Sequence, residues 1–420
     1  MAISIYQHLL EGSLLGVFMI ERITPSNLSG SIPAIPSKSM AHRLFICAAL
    51  ADGETEVECQ GTSKDIEATK ACLAAMQSGC KLPCGESGST LRFLLPVAAA
   101  LGLDAEFHME GRLPQRPLHP LDEQLTAHGV TLTRPQPDIL KISGKLAPGE
   151  YTLPGDVSSQ YISGLLFALP LLDAPSTLTV TGKIESGPYI EMTLDALRQF
   201  GVHVTIEENV FHIPACGYRS PGKAVVEGDW SNAAFWLCAG ALGKPVTVTG
   251  LDPNSLQGDK AIFDLLAAFG AETKQEGGTH TVSPAPLKAQ EIDAAAIPDL
   301  VPVLSVVAAA AAGTTRIYNA QRLRLKESDR IASVKAMLEA LGASVEETAD
   351  GLLIHGGKPL SGGTVDSCND HRIAMAAAVA SVICQNPVTV LGAEAVEKSY
   401  PDFWSDLRSL QKSEEVKGKK

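Results

Sequence analysis

Aromatic residues are scarce in this 420-residue chain, at 5% of the total. A core with so few rings must be filled by small aliphatic side chains and closely packed helices. A basic excess is missing too. The 34 Lys and Arg face 47 Asp and Glu, a net charge of -13, which argues against the dominant positive surface that nucleic-acid binders need. Paired cysteines are lacking as well: nine stand at irregular spacing, as a reducing compartment permits. Only Cys80 and Cys84 lie close together, with no His or second pair at zinc spacing, so no metal is expected. The longest apolar tract, near 300–312, is too short to span a bilayer and contains Pro302 and Ser305. The first 20 residues hold no Lys or Arg, unlike a secretory leader. A cytoplasmic protein with no membrane partner is expected. Residues 1–18 read as a possible N-terminal extension, with Met19 as an alternative start.

What is present is repetition. Six times a short polar loop runs into an Ala-rich, largely apolar stretch: at Ser37-Lys38-Ser39, Ser87-Gly88-Ser89, Val157-Ser158-Ser159, Asp229-Trp230-Ser231, Ile297-Pro298-Asp299 and Asn369-Asp370-His371-Arg372. Helices apolar all round are buried on every side, and Ser or Asp at their starts are natural N-caps. A second, amphipathic helix type alternates with these and runs into Gly79, Gly129, Gly201, Gly270 or Gly342, each a predicted C-cap. Ile262, Leu265, Leu266 and Phe269 form its apolar stripe in one copy, and Ile331, Val334, Leu338 and Leu341 in another. Four of these glycines, from 129 to 342, follow one another at 72, 69 and 72 residues. Such a period predicts an α/β fold of six βαβαββ units, three to each of two similar domains, around the buried Ala-rich helices. The predicted boundary falls near Glu227. Residues 37–227 would form the first domain, and 19–36 plus 228–420 the second.

Cations recur at the same point of the repeat. Lys38 and Arg43, Arg92, Arg372 and the run Leu323-Arg-Leu-Lys-Glu-Ser-Asp-Arg330 all lie at or near helix starts, and Arg116 and Lys398 sit in loops. Helix N-termini favour anions already, so added cations predict an anion site inside an acidic protein.

PSKSMAHR, GESGSTLR, QRPL, GDVSSQY, SGPYIEMTL, EGDWSNAAF, IPD, LRLKESDR, NDHRIAMA and EKSYPDFW, in this order over about residues 22–405, resemble the EPSP synthases of the enolpyruvyl transferase family. The resemblance implies transfer of the enolpyruvyl group of phosphoenolpyruvate to the 5-hydroxyl of shikimate 3-phosphate, by addition and elimination. It implies no cofactor, and a monomer is expected. It places shikimate 3-phosphate on Lys38, Ser39, Arg43, Ser158, Ser159, Gln160, Ser186, Tyr189, Asp299 and Lys326. It places phosphoenolpyruvate on Lys38, Gly88, Arg116, Gln160, Arg330, Arg372 and Lys398. Asp299 would accept the hydroxyl proton and Glu327 would serve C3, with Lys38 a third catalytic group. Read as structure alone, Asp299 is an N-cap and Glu327 a helix-start carboxylate paired with Arg330; both roles are compatible with catalysis.

Two positions depart from the family pattern. Glu86 stands where many relatives have Asn, and is expected to point away from the site or to pair with Arg92. Arg322 replaces an Asn four residues before Lys326. Two other readings differ in what they require. A transferase acting on UDP-N-acetylglucosamine would carry a Cys in the loop Glu110–Arg116, which has none. A ring-like repeat scaffold on DNA would place cations along a surface rather than at helix starts.

Overall fold

The computed structural model describes residues 19–417; the extension proposed for 1–18 lies outside the described residues. Twelve α-helices are described, and they alternate in kind. The odd-numbered members follow the polar loops: α1 (Lys38–Leu50), α3 (Gly88–Ala100), α5 (Ser159–Ala168), α7 (Trp230–Leu242), α9 (Val301–Ala310) and α11 (His371–Ala380). Between them lie α2 (Lys64–Ser78), α4 (Leu121–Ala127), α6 (Gly187–Gln199), α8 (Ile262–Phe269), α10 (Arg330–Ala340) and α12 (Phe403–Lys417).

The expected caps form at five of the six Ala-rich helices. Ser37, Ser87, Ser158, Asp229 and Asp370 each accept a backbone N–H from the first turn through their side chains. The sixth differs: Leu300 is the cap of α9 and makes no side-chain cap bond. Asp299 is therefore no N-cap. Its carboxylate is taken by arginines, as described below.

Buried apolar side chains fall into two clusters. One runs from Met40 to Val226, the other joins Ile23, Leu28 and Ile32 to residues from Trp230 to Leu410. In the second, α7, α9 and α11 pack on one another. In the first, α3 packs on α5 so closely that a methyl group on Gly164 would strike the carbonyl of Arg92. That is how a core short of rings is closed: small side chains let backbones approach. The first helix departs from expectation. One side of α1 reaches solvent at Ala49, and α1 rests on α2 and α6.

The sheets repeat one pattern. Four of them have a parallel pair, then two antiparallel strands: residues 81–143, 150–213, 291–356, and Gly30–Pro33 with 246–283. A fifth has three strands, in which Ile20–Ile23 pairs antiparallel with Val388–Leu391. The sixth is reduced to two short parallel pairs, Tyr218–Arg219 on Ala51–Asp52 and Lys223–Val225 on Glu56–Glu58. This smaller unit sits where the chain passes between the two clusters. Around that passage, Ser37 N–H donates to the Glu227 carbonyl and Asp229 N–H to the Ile35 carbonyl, at 2.8 Å each. The starts of α1 and α7 are thereby held side by side. No helix among the described residues is long and apolar enough to cross a membrane.

Candidate active site

The polar ends of helices from both clusters face one cleft. Its wall carries seven cations, Lys38, Arg43, Arg92, Arg116, Arg322, Lys326 and Arg330, against three carboxylates, Asp65, Asp299 and Glu327. That is a strongly positive site in a chain of net charge -13.

Asp299 and Arg330 form its centre. Asp299 accepts Arg330 Nη1 at 2.7 Å and Arg372 Nη2 at 2.8 Å, with Lys326 Nζ at 4.0 Å. Arg330 also gives Nη2 to Glu327 at 2.8 Å and Nε to Asp370 at 2.8 Å. One buried guanidinium thus ties three carboxylates, and Asp370 is in turn fixed as the cap of α11. Burial pushes the Asp299 carboxyl up, but Arg372, Lys326 and Arg330 outweigh it and hold the group well below the usual carboxylate range. Glu327 is held low in the same way: burial is outweighed first by Arg330, then by Arg116, whose Nη1 lies 3.8 Å from its Oε1. Both carboxylates are anions here. Lys326 is also lowered, but by burial itself, which brings its ammonium to about 8 despite Asp299 nearby.

The first half supplies the rest of the wall. Lys38 Nζ pairs with Asp65 at 2.8 Å. Arg43 is pinned by Thr193 Oγ1 at 2.9 Å, the Tyr189 carbonyl at 2.7 Å and the Ser39 carbonyl at 2.5 Å. Gln160 donates to Ser89 Oγ at 3.0 Å and accepts from Arg92 at 3.2 Å. Ser186 adopts a left-handed backbone, φ 54°, and accepts from Arg322 at 3.0 Å, while Tyr189 donates to Asp259 across the cleft at 3.0 Å. A methyl group on Gly88 would lie 2.6 Å from a terminal nitrogen of both Arg116 and Arg92, so only glycine leaves those guanidiniums in place.

Of the residues expected at the site, Lys38, Ser39, Arg43, Gly88, Arg116, Ser158, Ser159, Gln160, Ser186, Tyr189, Asp299, Lys326, Glu327 and Arg330 all line this cleft. Two do not. Arg372 lies behind Asp299: its Nη2 donates to Asp299 Oδ2 at 2.8 Å and to Ser231 Oγ at 3.0 Å. Lys398 is turned to Glu86 at 2.8 Å and to the Asn369 carbonyl at 2.6 Å. Glu86 therefore does not pair with Arg92, whose guanidinium is taken by Gln160 and the Pro117 carbonyl. Arg322, the other departure, is neutralised by buried Glu185. The motif reading left out three site groups: Arg92, Asp65 and buried His371. Arg92 carried a sequence signal, a cation on the first turn of an Ala-rich helix. Asp65 had none, because only the tertiary fold brings α2 to Lys38.

The fold is that of the enolpyruvyl transferases. The chain superposes on EPSP synthase from Acinetobacter baumannii with a TM-score of 0.77 at 25% identity, covering 94% of this chain and 98% of that one. It superposes on the enolpyruvyl transferase NikO from Streptomyces tendae with a TM-score of 0.73 at 19% identity, covering 94% and 97%. The family model for EPSP synthase (3-phosphoshikimate 1-carboxyvinyltransferase) matches residues 23–80 and 74–407. Proteins named 3-phosphoshikimate 1-carboxyvinyltransferase are 42% identical in Clostridium kluyveri (92% of this chain, 96% of that protein) and 41% in Clostridium acetobutylicum (93% and 96%). The chain belongs to the EPSP synthase family.

Proposed function

We propose that this chain is a 3-phosphoshikimate 1-carboxyvinyltransferase, joining phosphoenolpyruvate to shikimate 3-phosphate within the cleft. The observation that carries the reading is the cationic wall drawn from both halves of an acidic protein, in a chain of the EPSP synthase family. The seven wall cations outnumber the three wall carboxylates, and the positive charge left over suits the two phosphates and two carboxylates of the substrates.

The residue roles are those that the family resemblance implies, supported by the shared cleft. Arg43, Ser39, Ser158, Ser159, Gln160, Ser186, Tyr189 and Lys326 surround shikimate 3-phosphate; Lys38, Gly88, Arg116, Gln160 and Arg330 receive phosphoenolpyruvate. Arg372 supports Asp299 from behind, and Lys398 closes the site from the far side. The 5-hydroxyl oxygen bonds to C2 of phosphoenolpyruvate while its proton passes to Asp299 and a proton from Glu327 passes to C3. The C–O bond to phosphate then breaks, the phosphate leaves with the proton that Asp299 took up, and C3 returns its proton to Glu327. A carboxylate held low by Arg330 and Arg116 must first gain a proton to act as the acid. Phosphoenolpyruvate supplies the means, because its anionic groups take up those arginines and raise the proton affinity of Glu327. The protein works as a monomer of two domains, 37–227 and 19–36 with 228–420.

The test is phosphate release by the purified chain. It should require both substrates together, and UDP-N-acetylglucosamine should not replace shikimate 3-phosphate. Release with phosphoenolpyruvate alone, or with the nucleotide sugar, overturns the reading.

A further inference from the structure

Glu86 lies just ahead of the Ser87 cap of α3, within the first half. Its Oε2 accepts Lys398 Nζ at 2.8 Å and Asn369 Nδ2 at 2.9 Å, both from the second half. The contact has the marks of a built one. The Lys398 side chain is 8% exposed and Glu86 28%, whereas the neighbouring crossing pair, Lys64 with Glu397, is 65% and 44% exposed. A second acceptor, the Asn369 carbonyl, fixes the same ammonium at 2.6 Å. Gly111, at φ +55°, leaves the space that the carboxylate fills, since a methyl group there would collide with it. An exposed pair such as Lys64–Glu397 contributes little. Glu86, partly desolvated and holding two donors, is the stronger tie.

These bonds exist only while the halves are together. Their free energy therefore favours the closed arrangement over an open one, and every ligand that needs both halves gains from the larger closed population. We propose that Glu86 is a positioning residue, an interdomain clasp that seats Lys398 and Asn369 and raises the affinity of the cleft for both substrates alike. The proposal deepens the transferase reading and rests on it for the identity of the ligands.

Two variants of the full chain test it: Glu86→Gln, which removes the charge, and Gly111→Ala, which displaces the carboxylate but leaves every charge in place. Both should enlarge the ligand-free radius of gyration in solution X-ray scattering. The Kd for shikimate 3-phosphate by calorimetry and the KM for phosphoenolpyruvate should rise by a common factor, roughly 3- to 10-fold, with kcat near wild type. A rise in the phosphoenolpyruvate KM alone, with scattering and shikimate 3-phosphate affinity unchanged, would make Glu86 a local partner of Lys398 and overturn the clasp. So would no change in any of them. If Glu86→Gln fails to fold by circular dichroism, Glu86→Asp carries the same expectation, because the shorter side chain cannot reach both donors. A wild-type chain that releases no phosphate from the two substrates would sink the functional reading instead. The ligand-free scattering comparison would still decide the clasp.

Discussion

Glu327 sits between Arg330 and Arg116, which hold it as an anion, and is the proposed acid and base at C3. Its replacement by Gln keeps the size and loses the proton traffic, so kcat should fall by about 10²–10⁴-fold while the chain folds normally. Stopped turnover with an unchanged unfolding midpoint is the expected pair of measurements. Asp259 offers a test by pH. Burial, then the charge of Asp299, pushes its carboxyl to about 7. A carboxyl raised by folding stabilises the protein at low pH, and that contribution is lost as pH climbs from the ordinary value of about 4 to about 7. The stability of Asp259→Asn relative to wild type should therefore rise through that window, by up to about 1.4 kcal/mol per pH unit, in urea unfolding at several pH values. A flat difference would mean that Asp259 is already ionised at pH 5. Residue types at the site were mostly legible, because the motifs name them. Their partners were not. That Asp299 is held by two arginines and that Glu86 takes Lys398 are facts of tertiary geometry, with sequence separations of 31, 73 and 312 residues.

At the scale of elements, the polar loop before each Ala-rich helix supplies both the cap and a wall of the cleft. Asp229 shows how much one cap can hold: Oδ1 accepts Asn232 N–H at 2.9 Å and Ser231 Oγ at 2.7 Å, while Oδ2 accepts Lys38 N–H at 3.1 Å. Asp229→Ala should cost about 1–2 kcal/mol in urea unfolding, as the loss of a cap does. A cost under about 0.5 kcal/mol would mean that water replaces the cap bonds fully. The alternation of helix types, the cap residues and the two apolar stripes were legible because burial and capping impose local patterns. Leu266, Phe269, Val334 and Leu338 are fully buried, as the stripes require. Gly270 is the left-handed C-cap of α8, whereas Gly129, Gly201 and Gly342 stand one residue past the caps His128, Phe200 and Leu341, each with positive φ. Gly79 differs: it ends α2 at φ 177°, and the positive φ falls on Cys80 instead. The exposed side of α1 and the reduced sixth sheet were not legible. Both arise where the chain passes between the halves, and that passage depends on long-range pairing.

Across the whole molecule, a cleft lined from both halves implies that closure and binding are linked. Two cationic faces alone would repel, but here Asp65, Asp299, Glu327 and Glu86 are interleaved with the cations and pair them. Substrate anions still add charge that both faces share. Shikimate 3-phosphate with an unreactive phosphoenolpyruvate analogue should therefore shrink the radius of gyration in solution scattering. No change, with binding confirmed by calorimetry, would mean that the ligand-free chain is already closed. The two-domain organisation was legible from the period of the repeat, while the contacts across the cleft became visible only in three dimensions. On the proposed mechanism the two anions react in this cleft by addition and elimination, with a protein carboxyl serving C3. The direct measurement is the reaction run in heavy water, with the product read by proton NMR and mass spectrometry. Deuterium is expected in the vinylic CH₂ of the product, because C3 gains a solvent-derived proton and then loses one of three. A product formed at full rate with no deuterium at that carbon would contradict it.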